Sequence, residues 1–170
     1  QKNRIFAISC KFFEKTTESM SRFRYPVDTD QFALIREKGL VYVDKTDLMF
    51  DLVNKYNYVF LARPRRFGKS LLCNTFKAYF QGQKELFEGL KIMELEKEWK
   101  TYPVIHFTMS GLKNLKISEA KTKLENFISD YERIYGRNRE EMTPGARFRG
   151  LIHRACKQTG EKVVIILDEY

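Results

Sequence analysis

The sequence predicts an α/β fold in which helices cover both faces of a mainly parallel sheet, in three layers. Short segments of β-branched and aromatic residues alternate with longer segments of helical periodicity. The 170 residues, 43% hydrophobic and 31% charged, suit a single globular domain, and no internal repeat or low-complexity segment interrupts the alternation. Alternating strands and helices favour parallel strands joined by right-handed crossovers.

The first predicted strand is residues 40–43, which are rich in β-forming residues. Asp44 or Thr46 can cap the helix that follows, and Asp47 favours the positive end of that helix. Apolar residues recur there at helical spacing, namely Leu48, Leu52 and Val53. A strand-to-helix step is therefore expected before residue 58.

The second predicted strand, residues 58–62, is uncharged and bounded by Asn57 and by Arg63 and Pro64, which indicates burial on both faces. The next helix, residues 69–81, carries an apolar stripe and ends near Gly82. The remaining predicted elements are a strand at 104–109, a helix at 117–134 with Leu124, Ile128 and Tyr131 on one face, a helix at 147–159 with Leu151, Ile152 and Cys156 toward the core, and a strand at 163–167.

The loop between residues 62 and 69 matches most of the phosphate-binding pattern G-x-x-x-x-G-K-[ST], with Arg63 in place of the first glycine. Backbone N–H groups at a helix start bind phosphate, Lys69 can reach the β- and γ-phosphates, and the Ser70 hydroxyl can ligate magnesium. The predicted nucleotide-binding residues are Arg65, Arg66, Phe67, Gly68, Lys69, Ser70 and Leu71. The alternative is a basic turn that leads into a helix.

The strand at 163–167 ends in two acids, Asp168 and Glu169, as magnesium-assisted phosphoryl transfer requires at the carboxyl edge of a sheet. Asp168 would hold Mg²⁺ through its hydration shell, and Glu169 would orient and polarise the attacking water. Lys69 and Glu169 are thus the predicted catalytic residues, and Ser70 and Asp168 the predicted metal ligands. An ordinary strand ending in solvated acids is the alternative.

The net charge of +9 is concentrated in two places. Residues 1–24 carry six basic and two acidic groups, and the loop holds Arg63, Arg65, Arg66 and Lys69. Four clustered cations are typical of a phosphate pocket more than of a long nucleic-acid groove. Three scattered cysteines and the lack of a long apolar run argue against a disulfide framework and a membrane span, and favour a cytoplasmic location.

Several motifs together resemble the bacterial AAA-ATPase-like family: Tyr25-Pro26-Val27, Tyr42-Val43-Asp44-Lys45-Thr46, the loop from Arg63 to Ser70, Leu86 to Leu90, Pro103-Val104-Ile105, and Leu167 to Tyr170. The resemblance spans residues 20–170, with 1–19 as a basic extension. It implies a P-loop NTPase domain in which an arginine also occupies the first-glycine position. Longer members often carry a C-terminal PD-(D/E)XK nuclease-like domain. The resemblance also implies that the ATPase domain in the present sequence is cut short after Glu169.

The expected function is therefore binding of Mg-ATP, with hydrolysis in the complete protein. Two alternatives stay open. One is a regulatory module that binds nucleotide with negligible turnover, and the other is a nucleic-acid-binding protein that uses the basic loop on backbone phosphates. Asp44 and Thr46 could also approach the nucleotide instead of capping a helix, whereas His106 and His153 show no metal-binding spacing.

Overall fold

A computed structural model describes residues 24–64, 66–111 and 115–168 of the chain. The predicted extension at 1–19 and the predicted catalytic Glu169 lie outside these ranges. The elements in chain order are α1 (Phe32–Glu37), α2 (Thr46–Lys55), α3 (Lys69–Phe80), a 3-10 helix (Lys84–Phe87), α4 (Ile92–Leu95), β1 (Val104–Thr108), α5 (Ile117–Tyr135), α6 (Pro144–Thr159) and β2 (Val164–Asp168).

The two strands pair in parallel, with Val104 opposite Val164 and Thr108 opposite Asp168. Helices α5 and α6 form the crossover connection between them, as a parallel pair requires. Successive side chains of a strand point to opposite faces. Ile105 packs with α5 and α6, whereas α3 contacts the sheet from the other side. These features confirm the α/β class and the strands predicted at 104–109 and 163–167.

Two hydrophobic clusters form the core. The first cluster contains side chains from α1, α2, α3, the 3-10 helix and α4, and it is rich in aromatic rings. Phe32 and Phe87 are in contact there, with 4.9 Å between their ring centroids. The second joins β1 to the crossover helices through Ile105, Ile128 and Leu151, each fully buried. Burying one such side chain contributes about 1.5–3 kcal/mol, so both clusters stabilise the elements that carry the loop and the strand ends.

The strands predicted at residues 40–43 and 58–62 are wrong for the described part of the chain. Its sheet contains β1 and β2 alone, and both segments have extended or irregular backbone outside it. Tyr58 is 94% exposed, which contradicts burial on both faces. Composition identifies a segment that suits a strand, but a strand forms only where a neighbouring strand supplies hydrogen-bond partners.

The helices predicted at 69–81 and 117–134 are confirmed by α3 and α5 to within one residue. Helix α6 begins at Pro144, three residues before the predicted start at 147. Proline suits the first turn of a helix, because the backbone N–H that it lacks would have no partner within the helix there. The Thr143 side chain caps the helix, since its hydroxyl accepts a hydrogen bond from the Ala146 N–H at 3.2 Å. The apparent break at Pro144 is thus a helix start.

Two predicted core positions are one residue out of phase. Leu48 is exposed while its neighbour Met49 is buried, and Cys156 is exposed while Ala155 is buried. A helix turns by about 100° per residue, so the residue that faces the core depends on where the neighbouring element lies. Within the described ranges, every helix lacks the combination of length and apolar character needed to cross a bilayer.

Candidate phosphate-binding site

The loop before α3 has an unusual backbone. Arg66 and Gly68 both adopt left-handed conformations, with φ of 66° and 70°, while Phe67 between them does not. Glycine accepts this conformation freely, but for an arginine it is uncommon and costs free energy. Alternation of right- and left-handed residues turns successive N–H groups to one side and creates an anion-binding concavity. The two left-handed residues in this loop are compatible with such a concavity.

Lys69 holds the loop in this curled form. Its Nζ donates hydrogen bonds to the backbone carbonyls of Arg63 and Pro64, each at 2.9 Å. An ammonium group has three N–H donors, so one is left for a phosphate oxygen. Arg63 contributes through its carbonyl, a group that every residue type has. This contact gives a physical reason why a side chain is tolerated where the motif has its first glycine.

Helix α3 begins directly after this loop. No side chain within the described ranges caps its N-terminus, and its first turn contains no acidic residue. The N–H groups of the first turn and the positive end of the helix dipole are therefore directed at the concavity. Leu71 packs its side chain against the first core cluster, so its backbone N–H is the group that can serve an anion. Phe67 is exposed.

Asp168 lies at the carboxyl end of β2 and is only 7% exposed. Burial, together with the charge of Asp168 and a hydrogen bond to it, raises the pKa of the Cys73 thiol to about 11. Cys73 therefore faces Asp168 from α3, and it is a protonated thiol that does not act as a nucleophile at neutral pH. A packing role for Cys73 agrees with this environment.

The position of Cys73 relates Asp168 to the loop. Ser70 precedes Cys73 by three residues, so the two share one face of α3 and lie roughly 4.5 Å apart along its axis. The structure thus brings Ser70 and Asp168 to the same side of α3, next to the concavity. Arg65 and Glu169, the other predicted site residues of this region, lie outside the described ranges.

The donors at this edge of the sheet suit magnesium. Ser70 offers a hydroxyl oxygen and Asp168 a carboxylate, and Mg²⁺ is usually bound by one or two such groups together with phosphate oxygens and water. Among the described residues, no three His, Cys, Asp or Glu side chains cluster as an all-protein metal cage would need. Ser70 and Asp168 therefore have the chemistry to hold a magnesium ion that phosphate oxygens and water also coordinate.

Asp44 and Thr46 have a structural role instead of contacting this site. Asp44 accepts hydrogen bonds from the Thr46 N–H at 2.9 Å and from the Lys91 N–H at 2.8 Å, and the Thr46 hydroxyl accepts one from the Ile92 N–H at 3.1 Å. Burial raises the pKa of Asp44, but the hydrogen bonds from Lys91 and Thr46 outweigh it and hold that pKa below its ordinary value. Asp44 thus binds the first N–H of α2, although the N-cap position itself is Lys45, and together with Thr46 it ties α2 to α4.

His106 is a residue whose surroundings the sequence did not indicate. Its backbone N–H donates to the Tyr131 hydroxyl at 2.9 Å, whereas its side-chain Nε2 is buried and has no hydrogen-bond partner within the described ranges. Burial lowers the pKa of His106, and Lys77 lowers it further, so the imidazole is neutral at physiological pH. Strand alternation is the signal that could have placed it on the α3 face.

Comparison with known proteins gives two matches. A family model described as "AAA-ATPase_like: Predicted AAA-ATPase" matches residues 26–170. An uncharacterized protein encoded in the vnfD 5′ region of Azotobacter chroococcum mcd 1 is 34% identical over 152 residues, which is 89% of this chain and 30% of that protein. The chain thus spans less than a third of the length of that relative. No solved structure matches the chain.

Proposed function

Because the chain belongs to the AAA-ATPase-like family, we propose that it is a P-loop domain that binds Mg-ATP and, in the complete protein, hydrolyses it. The observation that carries the proposal is the curled loop, with left-handed Arg66 and Gly68 and with Lys69 bonded to both carbonyls at the start of the loop. A complete P-loop fold, with three layers around a longer parallel sheet, belongs to the same proposal, as does a cytoplasmic location.

Each residue of the site has a role that follows from its chemical groups. The N–H groups of residues 65–71 and the third N–H of Lys69 bind the phosphates, while Ser70 and Asp168 hold the ion. Bound Mg²⁺ would neutralise charge on the phosphate oxygens. Glu169 follows Asp168 directly in the chain and would accept a hydrogen bond from the attacking water and orient it. Buried Asp168 stays in place because its strand is paired along its whole length with β1.

Binding is tested by titrating a fluorescent ATP analogue into the chain with Mg²⁺ present. Lys69→Ala removes a charge-assisted hydrogen bond worth about 1.5–3 kcal/mol, so we expect Kd to rise roughly 10- to 150-fold. Lys38→Ala is the matched control, because Lys38 is exposed at the end of α1. Absence of binding by the wild-type chain, or equal binding by the Lys69→Ala variant, refutes the proposal.

Turnover is tested separately in the full-length protein, by measuring Mg-dependent phosphate release. Loss of release in Glu169→Gln, with ATP binding retained, is the expected result, because glutamine keeps the shape of glutamate but is not a base. ATP binding without any release by the wild type would reduce the function to that of a nucleotide-dependent regulatory module.

A further inference from the structure

His106 shares a sheet face with Asp168. The register places His106 opposite Ile166 and Thr108 opposite Asp168, so even-numbered residues of both strands point the same way. Ile105 faces α5 and α6, which leaves the α3 side for His106. Parallel strands lie about 4.8 Å apart and two residues along a strand span about 6.6 Å, so this diagonal pair is roughly 8 Å apart between backbones, within reach of an imidazole ring.

The Nε2 atom of His106 is buried and has no hydrogen-bond partner among the described residues. Buried polar atoms are nearly always paired, and an unpaired one costs about 1–3 kcal/mol. The charged groups that act on this imidazole are Lys77 of α3, Asp168 of β2 and Asp30 of the segment before α1. A buried imidazole nitrogen without a partner, on the same sheet face as the Asp168 carboxylate, therefore calls for a functional explanation.

We propose that His106 is a positioning residue for Asp168. Its Nε2–H, which has no direct partner among the described residues, donates to the carboxylate through one water molecule and so holds the oxygen that meets the magnesium of the bound nucleotide. Groups that orient a metal ligand in this way typically change metal affinity 10- to 100-fold when removed. This inference rests on the proposed function, since it assigns a role relative to bound Mg-ATP.

The test compares ATP affinity with Mg²⁺ and with EDTA in the full chain. Mg²⁺ should increase the ATP affinity of the wild-type chain, and in His106→Leu this increase should be about tenfold smaller. The ATP affinity in EDTA should be the same in both. His106→Gln, whose amide can reach the position of Nε2, should keep the gain within about twofold, whereas His106→Asn reaches only the position of Nδ1 and should not. His153→Leu, on the exposed surface of α6, is the matched control.

Each outcome decides the matter. An unchanged Mg²⁺ gain in His106→Leu overturns the inference, and so does an equal loss in EDTA, because that would indicate a purely structural role. If His106→Leu is unfolded by circular dichroism, the comparison of His106→Gln with His106→Asn decides, and equal behaviour of the two overturns the inference. A wild-type chain that binds no ATP under either condition refutes the proposed function itself, and the inference falls with it.

Discussion

The most quantitative prediction concerns the ion pair between α5 and α6, the helices that connect the two strands. Arg147 binds Glu132 through two hydrogen bonds, Nε to Oε1 at 3.0 Å and Nη2 to Oε2 at 2.7 Å, and it also donates to the Ser129 hydroxyl at 2.8 Å. The two side chains are 9% and 4% exposed. Removal of Arg147 therefore leaves the buried Glu132 carboxylate without its two hydrogen bonds, with only the Arg137 guanidinium 3.9 Å from its Oε2.

We expect Arg147→Met to lower the free energy of unfolding by about 3–5 kcal/mol, the usual cost of breaking a buried pair. For a chain of this size, each kcal/mol corresponds to roughly 2–4 °C in Tm, so the total shift is about 6–20 °C. Urea denaturation at pH 7 measures the change. Arg133→Met, which breaks an exposed pair with Asp130, is the control and should cost less than about 1 kcal/mol.

The pH dependence supplies an independent check. The hydrogen bond from Arg147 is the main cause that holds the pKa of Glu132 below its ordinary value. A lowered folded-state pKa means that the stabilisation is present above the unfolded pKa of about 4.3 and is lost as pH falls through the folded pKa. The difference between wild type and Arg147→Met should therefore shrink under acid. A difference below 1 kcal/mol at pH 7, or one independent of pH, would refute the reasoning.

Two further predictions concern α6 and α3. A Cβ on Gly150 would overlap the Glu141 carboxylate, which pairs with Arg154 at 2.7 Å, so Gly150→Ala should lower Tm in thermal unfolding. In a Glu141→Ala background the same change should instead stabilise by up to about 1 kcal/mol, the helix preference for alanine over glycine, and a Tm decrease there would contradict the explanation. Peptide mapping after reaction with Ellman's reagent at pH 8 should show exposed Cys156 labelled well before Cys73, whose pKa is raised to about 11. Equal labelling rates would disprove the described environment of Cys73.

Local signals predicted the parts of the fold that depend on neighbours in sequence. The apolar stripe of α3, the faces of α5 and the end of α6 at Gly160 follow from periodicity and capping, which act over a few residues. The strands predicted at 40–43 and 58–62 failed because pairing requires a distant segment. The roles of Asp44 and Thr46 were found only in part, since the contact with the helix start is local, but their partners Lys91 and Ile92 are distant in sequence.

The sequence by itself determined the phosphate-binding motif, the acids after the last strand and the family to which the chain belongs. The motif and the acids can be recognised because each lies within a few consecutive residues, and the family follows from the resemblance of several such motifs. Only the tertiary structure decided that Lys69 bonds to the carbonyl of Arg63, that Asp168 faces Cys73 on α3, and that His106 lies on the same face. These contacts depend on parallel pairing of β1 with β2 and on the packing of α3 against both, which no local pattern encodes.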